Sequence, residues 1–116
     1  MYPFSSDWHI QSRSHAEYCN EIRRLKACYE GKISIALGFE ADFIEGVCAP
    51  QKERYAAFAP DYLIGAVHFV PCGSAGWFEA DGSFETTRKN IQALFGGNVQ
   101  KAVGAYFYCE RAMLKK

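Results

Sequence analysis

Two strongly apolar segments alternate with helical patterns, and this alternation constrains the fold more than any other feature of the chain. "KISIALGFEADF", residues 32–43, and "YLIGAVHFV", residues 62–70, both indicate buried strands. The second segment is apolar on both faces except at Gly65 and His68, which is typical of a parallel strand covered by helices. The segment 71–83 is expected to be a loop. The pattern predicts an α/β fold with two or three parallel strands and covering helices.

The first helix has the clearest boundaries of the predicted elements. Ser14 and Glu17 match the S-x-x-E capping box, which predicts that the helix begins there. Gly31 supplies a residue that ends helices readily, because glycine adopts left-handed backbone angles without strain. Further helices are expected over residues 51–58, over residues 84–95, and from Asn98 onward.

Composition argues against several classes of function. The 116 residues predict one domain, and Lys+Arg balance Asp+Glu at 13 each, which gives no reason to expect nucleic acid or an anionic membrane as a partner. The five cysteines form no C-x-x-C pair, which argues against a disulfide framework or a zinc ribbon. We find no signal-peptide pattern and no apolar stretch of membrane-spanning length, so we expect a cytoplasmic protein.

Each apolar segment carries a candidate metal ligand near its C-terminal end, where parallel α/β sheets bind their ligands. Glu40 lies just beyond the last apolar position of the first segment, with Asp42 two residues further and on the same face if the strand continues, and His68 lies near the end of the second. Carboxylate and imidazole together suit Zn, Mn or Fe. Taken singly, Glu40 also fits the first solvated residue of a loop, and His68 fits a hydrogen-bonded structural residue. Gly38 and Gly65 precede these ligands and are expected to let neighbouring backbone come close.

Two further segments hold candidate residues for lining the site. In Asp7-Trp8-His9, His9 could contact a metal through a D-x-H motif, although the surrounding segment also reads as a surface loop. Asp81-Gly82 is a turn signature first and a candidate substrate contact second. The chain contains neither the Walker A pattern nor the dinucleotide-binding glycine pattern.

The two strand motifs together resemble the histidinol-phosphatase branch of the polymerase-and-histidinol-phosphatase (PHP) superfamily. The pattern of that branch is L-G-x-E-x-D followed by D-Y-x-I-G-S-V-H, and this chain has "LGFEAD" at residues 37–42 and "DYLIGAVH" at residues 61–68. The resemblance implies part of a distorted (β/α)7 barrel whose strand ends hold a cluster of divalent metals. It also implies that Glu40 bridges two metals, that His68 is a terminal ligand, and that the reaction is hydrolysis of L-histidinol phosphate in histidine biosynthesis.

The chain departs from the family pattern on both sides of these motifs. The family begins with an H-x-H strand and a strand ending in D-H, and it ends with a further His and a D-x-H; none stands at the expected place here. We therefore expect residues 1–116 to form an incomplete PHP domain that is inactive in isolation. The alternatives are a non-catalytic PHP relic or interaction module, and another PHP activity such as that of a nuclease-like domain. Open sheet edges also predict self-association or binding of a complementing chain.

Overall fold

A computed structural model of the protein describes residues 9–116. The strands are β1 (Gly38–Asp42), β2 (Tyr62–Ala66), β3 (Phe69–Pro71) and β4 (Trp77–Glu79), and the helices are α1 (His15–Cys28), α2 (Lys52–Tyr55), α3 (Phe84–Phe95) and α4 (Val99–Met113). The chain folds as two compact units. Unit 1 comprises the described residues up to Glu40 together with Gln51–Ile64, and unit 2 comprises Ala41–Pro50 and Gly65–Lys116.

Unit 1 is built around an aromatic cluster beneath α1. Cys19 of α1 and Phe39 of β1 are buried, and Tyr18 packs against them while its hydroxyl donates a 2.8 Å hydrogen bond to the Gly38 carbonyl. The predicted capping box does not form, since the Ser14 side chain makes no capping hydrogen bond. The physical reason is that Ser14 ends a 3-10 turn and is itself helical (φ −95°, ψ −6°), whereas an N-cap side chain reaches the first turn from an extended backbone.

Strands β1 and β2 pair with one another. The carbonyl of Leu37 accepts hydrogen bonds from the backbone of Asp61 and Tyr62, and the amide of Phe43 donates to the carbonyl of Ala66. Because residue numbers rise together on both segments, the hydrogen bonds indicate that the two strands run parallel. The predicted strand over 32–43 is too long, however. β1 begins only at Gly38, directly after Leu37, whose carbonyl accepts the first hydrogen bonds of the pair. Ile33, which was predicted to be buried in the strand, is 59% exposed.

The second predicted strand, residues 62–70, is not one strand but two. β2 ends at Ala66, and β3 forms a separate antiparallel pair with β4, in which Val70 lies opposite Phe78. β4 therefore lies within the segment 71–83 that the sequence predicts as a loop. The missed signal was a hairpin: Gly73 and Gly76 take positive φ angles of 60° and 103°, so the chain turns back between two short apolar runs.

Unit 2 has its own apolar core, formed by residues of β3, β4 and α4 with the segments that precede them. Phe43, Val67, Val70, Phe78, Ala102, Cys109 and Met113 are all buried in it. Helix α3 spans the predicted range, and α4 is capped as predicted, since the Asn98 side chain accepts a 2.9 Å hydrogen bond from the Lys101 amide. Within residues 9–116, no helix has the length and apolar character needed to cross a membrane.

The expected partial barrel stays a prediction. The parallel β1–β2 pair agrees with an α/β fold, but the β3–β4 pair is antiparallel and adds no third parallel strand to the sheet within residues 9–116.

Candidate metal centre

The sequence predicted that the glycines of the two strand motifs let backbone come close, but the nearest atoms to a Cβ at either position belong to side chains. In unit 1, a Cβ atom on Gly38 would lie 2.3 Å from Cζ of Tyr62. In unit 2, a Cβ atom on Gly65 would lie 2.7 Å from the sulfur of Met113 and 3.0 Å from Cγ of Pro50. Gly38 and Tyr62 therefore form one packing pair that joins the first motif to the second.

A hydrogen-bonded Asp–His pair in unit 2 is the centre of the candidate site. Asp42 is the last residue of β1, and His68 lies between β2 and β3. Oδ1 of Asp42 lies 2.5 Å from Nδ1 of His68, and the two side chains are only 5% and 18% exposed. A carboxylate this deeply buried is costly unless it is paired, so His68 stabilises Asp42 in its place.

The pairing of Asp42 with Nδ1 determines which nitrogen of His68 can act as a ligand. In the neutral imidazole, a carboxylate acceptor at Nδ1 holds the proton there and leaves the lone pair on Nε2. Nε2 lies on the opposite edge of the ring, 3.8 Å from Oδ2 of Asp81. A carboxylate behind a histidine is the usual way in which proteins orient a histidine ligand of a metal.

The same histidine lines a pocket of about 610 Å³ in unit 2. Its walls are largely apolar, with Phe78 on β4 and Phe107 on α4, and its polar lining residues include His68, Asp81 and Glu110. Tyr106 also lines it and donates a 2.9 Å hydrogen bond to Glu110. This bond raises the pKa of Tyr106, with smaller contributions from burial and from the negative charges of Glu110 and Asp81.

The remaining predicted residues have different outcomes. Glu40 lies inside β1 rather than beyond its end, and its side chain is exposed. It belongs to unit 1, so its approach to His68 stays a prediction. His9 is half-buried in unit 1, and Asp7 and Trp8 of the same motif lie outside the described residues.

The described residues gather few of the side chains that bind metals. Across residues 9–116, no group of three or more His, Cys, Asp or Glu side chains is placed to hold a metal ion. What the structure brings together is one imidazole with a carboxylate at each of its nitrogens, which are the donor types that Mn, Fe and Zn accept.

Tyr106 and Glu110 are not among the site residues predicted from the sequence. Their spacing of four residues could have indicated the contact, since residues four apart on a helix lie on the same face.

One comparison with known proteins supports the motif resemblance. Over 92 residues the chain is 26% identical to the probable histidinol-phosphatase of Deinococcus radiodurans. The match covers 79% of this chain but 35% of that protein, so the chain spans about a third of the length of the curated relative it matches. No family model matches the chain, and no solved structure matches it. The match supports a distant relationship to the PHP superfamily.

Proposed function

We propose that the chain is a segment of a metal-dependent phosphoesterase of the histidinol-phosphatase type, which converts L-histidinol phosphate and water to L-histidinol and phosphate. The observation that carries the proposal is the Asp42–His68 pair, because it presents an oriented imidazole at a pocket and belongs to the two motifs that resemble the family. The distant similarity to a protein named probable histidinol-phosphatase supports the same reaction class.

Each residue has a defined task in this proposal. His68 binds the cation through Nε2, Asp42 orients the ring, and Glu40 is proposed as a further ligand. A cation held there would supply Lewis acidity toward the phosphoryl oxygens and lower the pKa of a water molecule.

The charges around the pocket explain why a cation is needed. The described residues that line it include the carboxyl-bearing Asp81 and Glu110 and no Lys or Arg. A dianionic phosphate monoester placed beside two carboxylates is repelled unless a cation offsets the charge. The apolar wall can cover the organic part of the substrate, and Glu110 offers a carboxylate to the ammonium group of histidinol phosphate.

The test measures phosphate release from L-histidinol phosphate in the presence of Mn²⁺. With so few donors among the described residues, we expect the 116-residue chain alone to release phosphate slowly or not at all. Adding the parts of the Deinococcus protein that lie outside the match should restore Mn²⁺-dependent release. Full turnover by the purified chain alone would contradict the expectation of an incomplete site.

The decisive variant is His68→Asn rather than His68→Ala. An asparagine amide takes the place of Nδ1 and can still donate to Asp42, whereas alanine removes this hydrogen-bond donor from a carboxylate that is only 5% exposed and so risks destabilising the fold. We expect His68→Asn to lower release in the complemented mixture about 100-fold or more, since removing one catalytic group typically costs that much. Glu85→Gln, which changes an exposed carboxylate in the first turn of α3, should leave release unchanged.

A non-catalytic PHP relic or interaction module remains the second candidate. The observation that favours it is the small number of grouped metal donors among residues 9–116. It predicts that no complemented mixture releases phosphate, whether position 68 is histidine or asparagine.

A further inference from the structure

The two carboxylates beside His68 differ in their distance from the ring and in their exposure. The Asp42 side chain is 5% exposed and lies within hydrogen-bonding distance of Nδ1. The Asp81 side chain is 56% exposed, and its Oδ2 lies 3.8 Å from Nε2. One carboxylate is therefore a buried partner of the ring, and the other faces the ring from the solvent side.

The distance between Asp81 and His68 is too long for a hydrogen bond but suits two ligands of one cation. Hydrogen bonds from a ring nitrogen to an oxygen span about 2.7–3.2 Å. Nitrogen and oxygen ligands lie about 2.0–2.2 Å from Zn²⁺ or a similar ion, so two of them on one ion lie about 3–4 Å apart. The observed 3.8 Å falls in that interval.

The surrounding charges favour a cation at this position. Asp81 and Glu110 both line the pocket that His68 faces. The negative charges of Asp81 and Glu110 both contribute to raising the pKa of the neighbouring Tyr106 hydroxyl. A positive ion between Asp81 and His68 would reduce the repulsion between the negative charges of Asp81 and Glu110.

We propose that Asp81 is a second protein ligand, with Nε2 of His68, of one divalent cation, and that Asp42 is the residue that positions the histidine for it. The inference rests on the proposed function, which places a metal at His68, and goes beyond it by assigning the turn residue Asp81 to the metal. Water would complete the coordination around the protein ligands, as is common for Mg²⁺-like ions.

The test is a calorimetric titration of the 116-residue chain with Mn²⁺. Mn²⁺ is chosen because it prefers oxygen and imidazole ligands, whereas Zn²⁺ would also bind cysteine thiols, of which the chain has five. We expect Asp81→Asn to weaken binding about tenfold or more, since even an outer-shell partner of a metal contributes 10–100-fold in affinity. Asp81 lies in an exposed turn, so this variant should keep its fold, which circular dichroism checks.

Glu85→Gln is the matched control, because it removes a nearby exposed carboxylate that does not line the pocket. Equal affinity in wild type, Asp81→Asn and Glu85→Gln would overturn the assignment of Asp81. If His68→Asn nevertheless weakens binding, the metal at His68 stands and only the role of Asp81 fails. If neither variant weakens binding, both proposals fail.

A second readout tests the positioning role of Asp42. Nitrogen-15 resonances of the His68 ring should show the Nδ1-protonated form in wild type, and the Nε2-protonated form should increase in Asp42→Ala. Asp42→Asn, which keeps an acceptor oxygen, should retain more of the wild-type form. Identical ring spectra in wild type and Asp42→Ala would overturn this role.

Discussion

The ring of Tyr62 occupies the space that a side chain at position 38 would need. A Cβ atom there would lie 2.3–2.6 Å from three ring carbons of Tyr62, closer than real Cβ contacts allow. The motif glycine is therefore explained by packing in unit 1, without reference to metal chemistry.

Gly38→Ala should lower the free energy of unfolding by about 1 kcal/mol, at the low end of the cost of overpacking, because Tyr62 is 47% exposed and its ring has room to shift. The matched control is Gly104→Ala in the interior of α4, where nothing lies within 4 Å of the added Cβ. There alanine should stabilise the protein by about 0.5–1 kcal/mol, because glycine is a poor helix former. Urea denaturation measures both, and a destabilisation of equal size in the two variants would contradict the packing explanation.

The identities of the site residues could be predicted from the sequence only in part. Glu40, Asp42 and His68 stand in short motifs, so their candidacy followed from local pattern. The hydrogen bond between Asp42 and His68 joins residues 26 positions apart, and the approach of Asp81 depends on the β3–β4 turn that the sequence analysis missed. Such contacts are set by tertiary packing, which residue spacing alone does not determine.

Helix starts show how a local pattern succeeds at one element and fails at another. Ser83 caps α3, since its hydroxyl oxygen accepts a hydrogen bond from the Thr86 amide at 3.2 Å. Ser14 stands before α1 in an apparently better capping sequence, yet its side chain makes no such bond. Ser14 does not cap α1 because it is part of the preceding 3-10 turn. The S-x-x-E sequence pattern gives no indication of that turn.

Ser83→Ala should therefore lower the free energy of unfolding by about 1 kcal/mol, the typical value of an N-cap side chain. Ser14→Ala should change it by less than about 0.5 kcal/mol, as for ordinary surface substitutions. Thermal or urea denaturation of the two variants provides the comparison. An equal loss in both would show that Ser14 does cap α1 in solution.

At the scale of the whole molecule, the two motifs are divided between two units with separate cores. Glu40 belongs to unit 1, whereas Asp42, His68 and Asp81 belong to unit 2. The metal site proposed at His68 thus draws its observed geometry from one unit alone. Self-association through the edges of the β1–β2 pair and a complementing chain both stay predictions.

The most direct test of the central claim is where Mn²⁺ binds on the chain. The three histidines provide internal controls, because His9 and His15 belong to unit 1 and His68 lines the pocket of unit 2. Paramagnetic Mn²⁺ broadens the proton resonances of nearby rings, so substoichiometric Mn²⁺ should broaden the ring signals of His68 before those of His15. Equal broadening of the histidine rings, or none at His68, would contradict a metal site at this residue.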